Sequence, residues 1–250
     1  LRQMDPVDFI YLDPARRDEH GSRTYAIEDC TPNVFELRDL LLAKSQYTLV
    51  KLSPMLDWRK AVADFDGTVR ELHIVATGNE CKELLLVLGQ QVHEEPSAPR
   101  VFCVNDNQRI NYDSAAYTQG LRIGGKPLPD AKRYLYEPNA SIMKAGCFDL
   151  VEERFGVTQV GPSSHLFVSA TPVADFPGRG FAIEAIGGMN KKDIKRLLNG
   201  TKQANIAVRN FPLTAPQLRK KLKLADGGPV YLFGTTMQGC DHVLLRTSKI

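Results

Sequence analysis

At 250 residues and 27.8 kDa the chain is long enough for two or three domains of roughly 100 to 150 residues each. Its 43% hydrophobic and 24% charged residues, with 19 glycines and 15 prolines, exclude collagen-like, coiled-coil and disordered classes. No apolar run approaches the ~20 residues that cross a bilayer as a helix, so a cytoplasmic protein with no membrane partner is expected. Five cysteines (Cys30, Cys81, Cys103, Cys147, Cys240), odd in number and far apart, read as free thiols, and no His/Cys cluster has the spacing of a metal site. The chain opens on Leu1 and runs almost at once into a strand-like segment, which predicts a fragment.

The formal net charge of +3 conceals an asymmetry. Residues 187–250 hold twelve Lys/Arg against Asp193, Asp226 and Asp241, about +9, whereas the preceding residues carry 20 basic and 26 acidic side chains, about −6. A module this basic attracts polyanions, nucleic acid first among them, although a solvated cationic surface has the same composition.

In chain order, residues 8–12 (DFIYL) are apolar and rich in β-formers and end on Asp13-Pro14, which predicts a buried parallel strand. Residues 33–44 place Val34, Leu37, Leu40 and Leu41 at helical spacing, and residues 47–52 (YTLVKL) form a second strand closed by Ser53-Pro54. A short helix over 58–65 precedes strands at 71–77 (ELHIVAT) and 83–88 (ELLLVL), whose short link predicts an antiparallel hairpin that 101–104 (VFCV) extends. Loop chemistry at 120–129 (GLRIGGKPLP) marks a boundary. A small α+β unit follows, with strands at 133–136, 166–169 and 181–186 and one helix over 140–155. The basic tail reads α-β-α-β-β, with helices at 191–198 and 215–224 and strands at 204–208, 230–235 and 242–247. The domains expected are 1–118, 119–186 and 187–250.

A carboxylate at the carboxyl end of a parallel strand lies where open α/β sheets bind ligands, so Asp13 is the leading candidate for substrate contact. Pro14 stiffens the turn, and Arg16 is placed to meet a phosphate or carboxylate; an Asp-Pro pair after a strand also serves as a plain turn. Asn79 and Lys82, in the hairpin, share that rim if the strand directions are right. Cys81 beside Lys82 meets one condition for a depressed thiol pKa, whereas a cysteine next to a strand is ordinarily inert. His73, inside an apolar strand, reads as a satisfied core histidine. In the tail, Lys191, Lys192, Arg209, Arg219, Lys220, Lys221 and Lys223 are candidates for RNA-backbone contact, with Phe211, Tyr231 and Phe233 divided between packing and base stacking.

The order DFIYLDPAR, helix, YTLVKLSP, helix, ELHIVAT and a returning ELLLVL resembles the second half of a class I S-adenosylmethionine-dependent methyltransferase. With residues 205–212 (NIAVRNFP) and 218–222 (LRKKL), the chain resembles a bacterial family of such enzymes that carries a ferredoxin-like and a THUMP-like domain. The resemblance implies a partial Rossmann-like sheet over 1–118, a ferredoxin-like domain over 119–186 and a small basic THUMP-like domain over 187–250. It also implies S-adenosylmethionine as cofactor of the full-length protein, tRNA or rRNA as substrate, and a target-base pocket at Asp13, Pro14 and Arg16. The pattern departs from the family in three places. Arg16 stands where nitrogen-methylating relatives carry an aromatic residue, and Ser53 stands where carbon-5 enzymes need a cysteine nucleophile. Neither Gly124-Gly125 nor Gly187-Gly188 follows a strand and opens a helix as a cofactor-binding loop requires. The 250-residue chain is therefore expected to be inactive alone and to self-associate through its uncovered sheet. A non-enzymatic RNA-binding protein, with the α/β part as a platform, is the alternative.

Overall fold

The structure, a computed structural model, describes residues 1–15, 27, 30–90, 98–116, 132–239 and 241–250. The chain condenses into two units, one of Leu1–Gln119 with Ala140–Ala145 and one of Gly120–Asn139 with Gly146–Ile250. Among the described residues no helix is long and apolar enough to cross a membrane.

The first unit contains β1 (Val7–Leu12), α1 (Val34–Lys44), β2 (Ser45–Leu52), α2 (Trp58–Asp64), β3 (Val69–Thr77), β4 (Glu80–Gly89), β5 (Arg100–Asn105), β6 (Gln108–Asp113) and α3 (Ala140–Ala145). Its six strands pair in the order β1-β2-β4-β3-β5-β6. β1 runs parallel to β2, with Val7 opposite Ser45 and Leu12 opposite Val50. The hairpin partner β4 is inserted between β2 and β3, antiparallel to both. Residues 101–104 extend the hairpin as β5, which pairs in parallel on the far side of β3. β6 was not expected, although Ile110 and Tyr112 alternate with polar residues and turn inward behind a tight turn at Asp106 (φ 52°).

Alternation gives the sheet two unlike faces. Val50, Leu52, Leu72, Ile74, Leu84, Leu86, Leu88, Val101 and Cys103 are buried on one. Phe9, Tyr11 and Tyr47 on β1 and β2 lie exposed on the other, where His73 stacks on Phe102 with ring centroids 4.5 Å apart. Asn33 and Asp57 start α1 and α2 by accepting from the first free backbone amides of each helix.

The second unit contains β7 (Tyr134–Pro138), α4 (Phe148–Phe155), β8 (Thr158–Gln159), β9 (Phe167–Ser169), β10 (Gly178–Gly187), α5 (Lys191–Leu198), β11 (Asn205–Arg209), α6 (Ala215–Leu222), β12 (Val230–Thr236) and β13 (His242–Lys249). The single helix expected over 140–155 is two, α3 and α4. Gly146 breaks it with φ at 69°, a conformation that continues no right-handed helix. The α-β-α-β-β order of the tail is present as α5, β11, α6, β12 and β13, with Asn190 and Thr214 as side-chain caps and a complete capping box at Thr214/Gln217.

All seven strands join one sheet in the order β11-β12-β13-β10-β7-β9-β8, so the stretches read as separate domains share a sheet. Leu197, Leu218, Leu222, Leu232 and Leu244 form an apolar cluster beneath α5 and α6 on one face. Leu135, Val160, Leu166, Phe181, Phe233 and Leu245 form a second cluster on the other. The sheet curls around this second cluster. β7 and β11 are four strand steps apart, roughly 19 Å in a flat sheet, yet Arg209 at the end of β11 reaches Glu137 of β7 at 2.7 Å. The curl also brings Val160, after β8, to accept from the Gln238 amide after β12 at 2.9 Å.

That closure leaves no room beside Gly161, where a Cβ would overlap the Thr236 carbonyl and crowd Met237. Gly161→Ala is expected to lower the thermal midpoint by several degrees, corresponding to about 1–3 kcal/mol of overpacking. Gly188→Ala, whose Cβ would make only ordinary contacts, is the comparison expected to melt near the parent temperature. Equal melting of the two variants would contradict the tight closure.

Candidate functional site

Asp13 follows β1 on the rim formed by the carboxyl ends of β1 and β2, and it is more than two-fifths exposed. Parallel pairing continued past Leu12–Val50 sets Asp13 beside Lys51, and Lys51 Nζ donates to Asp13 Oδ2 at 2.6 Å. The hydrogen bond that Lys51 donates to Asp13 raises the Lys51 pKa; partial burial opposes it, and the Asp13 charge, Tyr11 and Glu83 add to the rise. Oδ1 of Asp13 has no partner among the described residues. Pro14 is buried behind the carboxylate. Arg16 lies outside the described residues.

The hairpin turn at Asn79 lies on the same rim, because β4 runs antiparallel to β2. Asn79, with φ at 62°, is committed to structure: its Oδ1 accepts from the Ala140 amide at 2.8 Å and starts α3. Lys82 pairs with Glu80 at 2.6 Å. The thiol of Cys81 is not activated; burial raises its pKa, with Lys144 opposing. Ser53 is buried and its Oγ accepts from the Met55 amide at 3.3 Å, shaping the loop that closes β2. His73 Nε2 donates to Glu71 Oε2 at 2.9 Å on the sheet face away from the main core.

The structure divides the basic candidates of the tail. Lys191 and Lys192 on α5, and Lys220 and Lys221 on α6, are exposed on two helices that cover the same sheet face, and Lys223 is exposed at the left-handed end of α6. Arg219 is drawn inward: it donates to the Ala204 and Ala225 carbonyls, each at 2.9 Å, and pairs with Asp226 at 2.5 Å. Arg209 lies on the opposite sheet face, joined to Glu137. Tyr231 and Phe233 pack on Phe181 with centroids 5.1 and 4.9 Å apart, and Phe211 fills the space beside Gly234, so these rings are bound into the core.

Three residues that no motif announced complete this second polar cluster. Glu137 is 4% exposed, and both its oxygens are taken, Oε1 by Arg209 and Oε2 by Arg179. His165 stacks on Phe148 with centroids 4.8 Å apart, and burial together with the Arg209 charge holds its pKa below the usual 6.5. Arg209 Nε is enclosed without an acceptor among the described residues, a cost of about 1–3 kcal/mol for a buried donor. The signal for Glu137 was an acidic residue at the end of an otherwise apolar strand, whose burial demands a partner. Among the described residues no group of three or more His, Cys, Asp or Glu is placed to hold a metal ion.

Residues 134–177 match the family model of a ferredoxin-like domain, and residues 178–249 match that of a THUMP domain-like family. The chain is also similar to a solved structure from Porphyromonas gingivalis W83 described as a "putative methyltransferase", with 36% sequence identity and a TM-score of 0.84. The match covers 97% of this chain and 59% of that one, so the chain spans about three fifths of the length of the protein it resembles. No curated protein matches the chain.

The Lys51–Asp13 pair is partly exposed, so Lys51→Met is expected to change stability at neutral pH by under ~1 kcal/mol. Because the folded state raises the Lys51 pKa, the contribution is present below the ordinary value of 10.5 and disappears as pH climbs through the raised one. Thermal melts through the alkaline range are expected to show this slope in the parent and its loss in Lys51→Met. An unchanged slope would place Lys51 outside the pair in solution.

Proposed function

We propose that the protein is an RNA base methyltransferase acting on tRNA or rRNA, of which this chain supplies the rim that receives the base and the domains that recruit the RNA. The observation that carries the reading is the β1-β2-β4-β3 order with an inserted antiparallel strand, and an Asp-Pro at the carboxyl end of its first parallel strand. The chain's likeness to a described methyltransferase and its THUMP-like domain support it.

S-adenosylmethionine supplies an electrophilic methyl group to such enzymes, but the described residues offer no cradle for it. No glycine-rich turn joins a strand to a helix among them; β1 and β2 end in Asp13-Pro14 and Ser53-Pro54 instead. What the present residues do is orient. Lys51 fixes Oδ2 of Asp13, so that Oδ1 accepts a hydrogen bond from an exocyclic amine of the target base. Arg16, two residues beyond Pro14, meets a phosphate or the base edge. Lys191, Lys192, Lys220, Lys221 and Lys223 supply sequence-independent contacts to the RNA backbone, which makes binding fall steeply with salt.

Methyl transfer from labelled cofactor to total RNA, measured with the full-length protein, tests the reading. Asp13→Ala is expected to lower transfer by at least ~100-fold while leaving salt-dependent RNA binding intact. Equal transfer by the variant would remove the role of Asp13. RNA binding with no transfer by either protein would instead favour a non-enzymatic platform.

A further inference from the structure

The curled sheet of the second unit ends in a polar mouth where the ferredoxin-like and THUMP-like segments meet. Two opposed cross-strand pairs build it: Leu135 faces Phe181, and two residues further along each strand Glu137 faces Arg179. Leu135 and Phe181 belong to the apolar cluster, so the mouth has a closed floor. Arg179 donates to Glu137 Oε2 through Nε at 3.0 Å and through Nη2, and Arg209 donates to Oε1 at 2.7 Å.

One carboxylate thus serves two guanidiniums, and among the described residues no second carboxylate pairs with either. Glu137 is nearly inaccessible, whereas the arginine side chains are 44% and 38% exposed. The cluster therefore presents cation outward and holds its anion inside. Arg209 also has its Nε enclosed without an acceptor among the described residues, so its guanidinium is held short of the bonds it can make. Asn210 Nδ2 donates to the Pro162 carbonyl at 2.8 Å and fixes the loop bearing His165 against the end of β11.

We propose that this mouth binds the terminal phosphate of a nucleotide chain, with Arg179 and Arg209 as the phosphate-binding residues and Glu137 as the positioning residue that sets their planes. Guanidinium forks match phosphate oxygens in geometry as well as charge. The closed floor stops a strand from threading through and suits a chain end. The neutral His165, stacked on Phe148 and under the influence of the Arg209 charge, flanks the mouth with a ring nitrogen donor. That the phosphate comes from RNA rests on the function proposed above; the anion site itself rests on the Arg–Glu–Arg geometry.

The test is binding of one short oligoribonucleotide in two forms, 5′-phosphorylated and 5′-hydroxyl, to the full chain, with inorganic phosphate as competitor. The phosphorylated form is expected to bind about tenfold more tightly, and inorganic phosphate is expected to abolish the difference. Arg179→Gln leaves Glu137 Oε2 without its charged donor and is expected to lower the melting temperature while erasing the ratio in the folded protein, whereas Arg179→Lys keeps a cation there and is expected to retain both the fold and part of the ratio. Lys220→Gln with Lys221→Gln is expected to weaken both forms alike. Equal binding of the two forms, or an unchanged ratio in Arg179→Gln, would overturn the proposal. The two readings separate in one arm: if neither oligonucleotide binds but inorganic phosphate shifts the His165 ring resonances in the parent and not in Arg179→Gln, the anion site stands and the RNA reading fails.

Discussion

Burying Glu137 commits the second unit to its shape. A carboxylate enclosed this far is tolerable only if both oxygens are met by charged donors. Those donors come from β10, its neighbour in the sheet, and from β11, four strands away. The second donor arrives only if the sheet curls, so the ion cluster and the curl require one another. The same curl encloses Phe181, Phe233 and Leu245, the floor of the mouth. The contact at Gly161 and the bond between Gln238 and Val160 are further marks of that closure. Function and stability thus meet at one carboxylate: the arginines that satisfy it are the ones left half exposed.

The first unit is organised by a different constraint, the insertion of β4 between β2 and β3. By running antiparallel to both, β4 brings the hairpin turn to the rim where β1 and β2 end. Asp13 and Lys51 share that rim because β1 and β2 are parallel, so two residues 38 apart in sequence are neighbours in register. The far side of β1 has no strand partner among the described residues, and Phe9 and Tyr11 stand exposed on one face of that strand.

Most elements were legible because their periodicity is strong. The strand at 71–77 is β3 within two residues, and the helix at 191–198 is α5 to the residue. β6 was missed although Ile110 and Tyr112 alternate cleanly, because its short length and polar alternate positions resemble loop composition. Gly146 was passed over inside a helical pattern, where a single glycine is ordinarily tolerated. At the site, Asp13 was legible from strand-then-Asp-Pro, but Lys51 was not, since nothing in YTLVKL tells which of its residues will lie beside Asp13. Arg209 was grouped with the lysines by charge alone; only the fold reveals that it serves the opposite sheet face. Charge along a sequence does not say which positive groups are already spoken for, and Arg219 and Arg209 differ from Lys220 and Lys221 in that respect.

The central claim is that Glu137 and Arg209 are coupled across the curled sheet. A double-mutant cycle on unfolding free energy, with Glu137→Gln, Arg209→Met and the two combined, measures that coupling most directly. The structure predicts an interaction of about 2 kcal/mol or more, with the double variant more stable than the sum of the single losses implies. Additive losses would contradict it, since they would mean that β11 does not close on β7 in solution.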